Sequence, residues 1–354
     1  MFTCIASIGK MSISLKTGIK NQQINTLIPK ASSFYFKFIY YIIYLNRNAF
    51  INLAPQTTIP IINKTDFSAF SFTIPTFLPE QRKIARILST VDEVIERTEA
   101  AIAKYQAIKQ GMMHDLFSRG LDQNGKLRPR YEEAPELYHQ TTLGWLPKEW
   151  EVVDTDEKIN VIDVQPDHRT PPEVSDGAPY VGIGDLKATG EIDLERARKV
   201  AKAALQKQVA SFDIYPGAFI FGKIGTLGQP TRIPSERFFA VSANVVLLTT
   251  KLREDADFIF WLYSSHLIDT QVTDTTNTTS QPALGIQRVR KFFIPWPACS
   301  GERDKIASKL EAISKTLQNE ARHRDKTLQV KQGLMQALLT GRKPVTVDEP
   351  EQEN

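Results

Sequence analysis

The stretch Gly222-Lys223-Ile224-Gly225-Thr226-Leu227-Gly228-Gln229 sets a lysine, a hydroxyl and an amide among three glycines. Glycines beside a lysine let a backbone approach a phosphate, but this is not a P-loop. There the lysine closes the glycine run, and here Lys223 precedes it. Val181-Gly182-Ile183-Gly184 lacks the third glycine of a dinucleotide fingerprint. The five histidines, at 114, 139, 168, 266 and 323, fall at no metal-ligand spacing. Asp167 and Glu173 form no nuclease carboxylate pair, because no Glu-x-Lys follows. No serine or cysteine has an identifiable base. Cys4 and Cys299 are too few for a disulfide framework or a four-thiolate zinc site, and they fit a reducing compartment. Together these patterns favour a binding protein over an enzyme.

What the loops do offer is hydrogen bonding. Ser242-Ala243-Asn244 and Thr275–Gln281 (TTNTTSQ) join the glycine loop as polar connections. Asn and Gln can bond adenine edges bidentately, Lys and Arg suit guanine, and Ser or Thr suit either. The same composition also describes an ordinary loop, and both readings stay open here. Charge adds a hint. Residues 1–79 hold six lysines and Arg47 against a single acid, Asp66, whereas Asp348, Glu349, Glu351 and Glu353 crowd the end. A basic segment of that kind is a candidate for binding a polyanion.

The elements that would position these loops come in duplicate. Glu80–Leu88 (EQRKIARIL) returns as Glu302–Leu310 (ERDKIASKL), and Lys109–Met113 (KQGMM) as Lys331–Met335 (KQGLM), both 222 residues on (302 − 80). After Glu80, seam residues fall at Ile84, Leu88, Val91, Ile95, Thr98, Ile102 and Tyr105 in steps of four and three, a heptad seam that Lys109 interrupts and Met112 and Leu116 resume. Thirty-eight residues of helix make a rod of roughly 57 Å at ~1.5 Å per residue. The second copy carries Ile306, Leu310, Ile313 and Leu317, weakens near Glu320–Arg324, and resumes at Leu328, Leu334 and Leu338. Two matching seams in one chain predict helices that pack on each other.

The repeat extends upstream. Phe72-Thr73-Ile74-Pro75 answers Phe292-Phe293-Ile294-Pro295, Ile8-Gly9-Lys10 aligns with Phe221-Gly222-Lys223, and Asn21-Gln22-Gln23 aligns with Ser242-Ala243-Asn244. Each unit is thus a mixed α and β segment followed by a long helix. The second unit reaches back to Leu143-Gly144-Trp145-Leu146-Pro147, whereas only eight residues precede Gly9. The first globular segment therefore reads as half of the second. The expected organisation is a partial globular domain (1–79), a long helix (80–118), a turn-rich linker (119–142), a full globular domain (143–301), a second long helix (302–341) and an acidic disordered tail (342–354). Within 143–301, strands are expected around 151–153, 180–183, 218–221 and 245–248, with helices around 194–208 and 256–267. The longest apolar run, Phe34–Leu45, contains Lys37 and is too short to span a bilayer; it predicts a buried helix. No basic n-region opens the chain, so no signal peptide is expected.

Three motifs carry a resemblance. Phe77-Leu78-Pro79-Glu80-Gln81-Arg82-Lys83-Ile84-Ala85, Leu143-Gly144-Trp145-Leu146-Pro147-Lys148-Glu149-Trp150, and Lys331-Gln332-Gly333-Leu334-Met335 with Leu338-Leu339-Thr340-Gly341 resemble the specificity (S) subunits of type I restriction–modification systems. The resemblance covers nearly the whole chain. It implies an α+β protein with two target-recognition domains, the first partial at its N-terminus, joined by an antiparallel coiled coil with a pseudo-twofold repeat. It implies a cytoplasmic, non-catalytic DNA-binding subunit that reads a bipartite duplex target and scaffolds methyltransferase (M) and restriction (R) subunits. S-adenosylmethionine, ATP and Mg belong to those partners, and the subunit itself holds no metal or cofactor. Repeat alignment and loop chemistry then nominate DNA contacts: Lys10, Asn21, Gln22 and Gln23 in the first domain, and Lys223, Thr226, Gln229, Ser242, Asn244, Thr279 and Gln281 in the second. The alternative is a truncated subunit that binds methyltransferase and has lost bipartite recognition.

Overall fold

The computed structural model describes residues 1–5, 8–16, 18–54, 60–165, 169–186, 192–212, 214, 216–234, 238–276 and 283–347. The chain divides into two units, Met1–Ala103 with Asn319–Asn354, and Lys104–Gln318. Both long helices pass through both units.

In the first unit, β1 (Phe2–Thr3) pairs antiparallel with β2 (Ile24–Asn25). Helices α1 (Phe36–Leu45), α2 (Arg47–Asn52) and α3 (Lys64–Ala69) follow, and then α4 (Leu78–Ser118). The apolar run forms α1 as expected: Phe38, Tyr41 and Ile42 pack with Ile84, Ala85 and Leu88 of α4 and with Met335, Leu338 and Leu339 of the last helix. A second cluster gathers Phe2, Cys4, Ile43, Phe50 and Ile62.

In the second unit, β3 (Tyr138–Thr141) and β4 (Gly144–Pro147) make a hairpin. Next come β5 (Trp150–Asp154), α5 (Thr155–Lys158), β6 (Ile159–Asp163), β7 (Glu173–Val181), β8 (Lys199–Val200) and α6 (Lys202–Ser211). The helix expected over 194–208 therefore starts later. Residues 199–200 extend as β8 along β7, and the chain turns helical only after Ala201. Then follow β9 (Phe219–Gly222), β10 (Gly228–Arg232), β11 (Ala240–Val241), β12 (Val245–Thr250), α7 (Ala256–Tyr263), α8 (His266–Thr276), α9 (Ile286–Arg290), β13 (Phe293–Pro297) and α10 (Ser300–Leu339). The main sheet has the order β10-β9-β12-β6, β13 pairs with β5, and β11 and β8 flank β7. All six residues of β12 are buried. Alternate residues feed opposite faces: Val246 and Leu248 join the cluster with α7 and α10, while Val245 and Leu247 join the one with Val181 and Phe239.

Within each unit the long helices run antiparallel. Ile84 and Leu88 meet Leu338 and Met335, and Lys331 Nζ lies 2.5 Å from Asp92 Oδ1. In the second unit Met113, Leu116 and Phe117 share a core with Ile306, Ala307 and Leu310. The seam residues Ile84, Leu88, Ile95, Ile306, Leu310 and Leu338 are buried, and Val91, Ile102, Tyr105, Met112, Ile313, Leu317 and Leu334 are half-buried. Leu328 departs from expectation at 43% exposed. The four-three spacing instead runs through Glu320, Arg324, Thr327 and Lys331, so the seam continues in register with polar side chains. Lys109 likewise stays on its seam, half-buried with its ammonium 4.5 Å from the Trp261 ring centroid. Both helices end at a left-handed glycine two residues on, Gly120 (φ 63°) and Gly341 (φ 72°).

Hydrogen bonding fixes the register of the repeat. The Cys4 amide donates to Gln23 O and the Ile62 amide to Cys4 O; the Lys223 amide donates to Asn244 O and the Leu284 amide to Lys223 O. Bridges Ile5–Ile61 and Ile224–Ala283 repeat the match. Gly9 (φ 88°) takes the place of Gly228 (φ 78°). Phe2–Lys10 thus corresponds to Phe221–Gln229. This corrects the expected alignment: Cys4, not Lys10, answers Lys223, and Lys10 answers Gln229. The match of Asn21-Gln22-Gln23 with Ser242-Ala243-Asn244 stands. Gln23 N donates to Asn21 Oδ1 as Asn244 N donates to Ser242 Oγ.

Candidate nucleic-acid interface

The site is the turn between β9 and β10 together with the turn entering β12. Gly222 is required there, since a Cβ would stand 2.2 Å from the Thr226 carbonyl oxygen. Amides of Lys223 and Ile224 both donate to Asn244 O, at 2.8 and 3.1 Å, which holds the two turns side by side. Ile224, Gly225, Thr226, Gln229 and Asn244 are exposed. Gln229 adopts a left-handed conformation (φ 54°), which a non-glycine residue takes at a cost of roughly 1–2 kcal/mol. Three of the nominated side chains, Thr226, Gln229 and Asn244, therefore share one exposed surface, with hydroxyl and amide groups of the kind that bond base edges.

Lys223 and Ser242 are corrections. Both are 4% exposed. Lys223 Nζ points inward to Asp163 Oδ1 at 3.3 Å, reaching across the start of β12 to β6, where Asp163 stands opposite Val246. Ser242 Oγ accepts from the Asn244 amide and sits against Gly182. Neither presents its polar group to a duplex in this structure. Thr279 and Gln281 lie outside the described residues. In the first unit Lys10, Asn21, Gln22 and Gln23 are all exposed, on the two turns that correspond to those of the second.

Behind the turns stands a network with no sequence signature. Gln208, 5% exposed, donates through Nε2 to Val164 O and Val241 O and accepts from the Val241 amide, tying α6 to the strands beside Ser242. At the root of α10, Glu302 accepts from Arg128 Nη1 (2.6 Å), the Leu121 amide (2.7 Å) and Trp150 Nε1 (3.2 Å). Arg303 Nε lies 2.6 Å from Asp255 Oδ1, both side chains buried. These ion pairs orient the domain on its helix. Among the described residues no cluster of His, Cys, Asp and Glu could hold a metal. No described helix is long and apolar enough to cross a membrane.

The chain is thus a duplicated α+β segment with polar turns at its surface, rooted on long paired helices. Residues 1–106 match the family model for the type I restriction modification DNA specificity domain. The chain is related along its length to type I restriction specificity subunits. It is 23% identical over 351 residues to the type I restriction enzyme MjaVIII specificity subunit of Methanocaldococcus jannaschii, covering 95% of this chain and 75% of that one. It is 22% identical over 328 residues to the putative MjaX specificity subunit of the same organism, covering 86% and 68%. The crystal structure of the type I restriction-modification S subunit from M. genitalium has the same fold: TM-score 0.59, 17% identity, covering 98% of this chain and 83% of that one.

Proposed function

We infer that this chain is the DNA-reading specificity subunit of a type I restriction–modification complex and makes or breaks no covalent bond itself. The observation that carries this is the relationship to specificity subunits over 95% of the chain, together with the twofold occurrence of one turn pair. On this reading the exposed Thr226, Gln229 and Asn244 contact bases. Asn21, Gln22 and Gln23 do so in the first unit, where Lys10 meets the phosphate backbone, while Lys223 and Ser242 shape the turns from beneath. Thr279 and Gln281 remain nominated on loop chemistry alone. The target is a bipartite duplex. Methyltransferase and restriction subunits are the partners, they carry S-adenosylmethionine, ATP and Mg, and the complex works in the cytoplasm. Phosphate contacts give salt-dependent affinity, and base contacts give the sequence.

The test is methylation of a random-sequence DNA library by the chain reconstituted with its methyltransferase. Enrichment of a defined sequence supports the reading. A second reading is favoured by the uncovered strand edge of the first unit described below: the chain still assembles with methyltransferase but only the second unit reads DNA. Enrichment of one half-site alone would support that reading.

A further inference from the structure

In the second unit, one strand–turn–strand segment, Trp150–Asp163, covers three groups whose counterparts in the first unit have no such cover among the described residues. β6 pairs with the outer edge of β12, from Val246 opposite Asp163 to Thr250 opposite Ile159. The counterpart of that edge is Asn25–Pro29, and among the described residues no strand pairs with it. Leu248 and Thr249 are 0% and 2% exposed; their counterparts Leu27 and Ile28 are 41% and 87% exposed. β5 pairs with all of β13. The counterpart is Ser71–Pro75, because Gln81 Nε2 donates to Pro75 O as Arg303 Nη1 donates to Pro297 O, which shifts the expected match of Phe72–Pro75 with Phe292–Pro295 by two residues; it has no partner strand among the described residues. Glu302 receives the Trp150 indole and Arg128. Its counterpart, Glu80, has no hydrogen bond or ion pair among the described residues. Beside the Asn25–Pro29 edge lies an open cavity of about 710 Å³ whose lining includes Leu27, Ile28, Phe36, Ile39 and Tyr40.

Open strand edges and exposed apolar residues side by side are a template for an added strand. We propose that this face of the first unit is an acceptor for a polypeptide segment with the pattern of Trp150–Asp163. Its first strand lies along Ser71–Pro75, its second along Asn25–Pro29, and its leading indole donates to Glu80. The occupant is defined by the chain's own repeat: the apolar residues of the bound segment fall where Val153, Ile159 and Val161 fall in the second unit, all three buried there.

The experiment adds a synthetic peptide of residues 148–165 to the full chain and follows amide hydrogen exchange by mass spectrometry. The peptide is expected to slow exchange at 24–29 and 71–75 and to leave 245–250 unchanged. Glu80→Gln in the chain, or Trp150→Ala in the peptide, is expected to weaken binding about tenfold, the loss of one charge-assisted hydrogen bond. Ile28→Lys, at a position already exposed, is expected to abolish protection without unfolding the unit. Protection confined to 245–250, or no protection at 24–29 with the peptide at ~1 mM, would overturn the proposal, since an added strand weaker than that contributes under about 4 kcal/mol. The readout contains no DNA, so it stands or fails apart from base reading.

Discussion

Lys223 and Gln229 occupy one turn and have opposite fates. Lys223 points into the domain because Asp163 waits there, and Gln229 points out because Gly228 turns the chain left-handed just before it. The consequences differ in measurable ways. Gln229→Ala and Asn244→Ala in the reconstituted complex are each expected to cost about 1–3 kcal/mol of binding to the cognate sequence, with non-specific binding unchanged in a gel-shift titration. Lys10→Ala is expected to lower the slope of log affinity against log salt by about 1, as for one lost phosphate contact. Lys223→Ala is expected to leave that slope alone and to lower thermal stability instead, because Asp163 loses its partner. A reduced salt slope for Lys223→Ala would return that lysine to the DNA surface. Sequence chemistry nominated residues on both of these turns. It could not separate the buried from the exposed polar residues, because what buries Lys223 lies 60 residues earlier in the chain (223 − 163).

At the scale of elements, the long helices were the most legible part, since a four-three spacing is a local property of the sequence. The seam itself was legible only where it is apolar. Thr327 and Lys331 take inward positions that hydrophobicity assigned to Leu328, and Lys331 uses its position to pair with Asp92 of the opposite helix. A polar pair at a seam position fixes alignment at some cost in stability. Leu88→Ala is therefore expected to destabilise by about 2–5 kcal/mol in denaturant unfolding, whereas Leu328→Ala stays within about 0.5 kcal/mol. Glu302→Ala strips acceptors from Arg128, Trp150 and the Leu121 amide together, and about 3–5 kcal/mol is expected from the charge left unpaired. The repeat was legible, but its register through the first turn was not. Both Ile8-Gly9-Lys10 and Phe221-Gly222-Lys223 read as an apolar residue, glycine and lysine, and only the ladder from Cys4 to Gln23 and Ile62 shows which glycine matches which.

At the scale of the whole molecule, one design is repeated, an α+β head grown from the root of a long helix and used twice. The second head is complete, with a six-residue strand buried on both faces, and the first carries the same turns on a barer frame. The most direct measurement is the sequence methylated by the chain assembled with its methyltransferase on a random DNA library, compared with the same assembly carrying Gln229→Ala and Asn244→Ala. The account predicts a defined bipartite consensus in which the double substitution relaxes one half and leaves the other intact. Methylation without sequence preference, or a consensus unchanged by the double substitution, would contradict it.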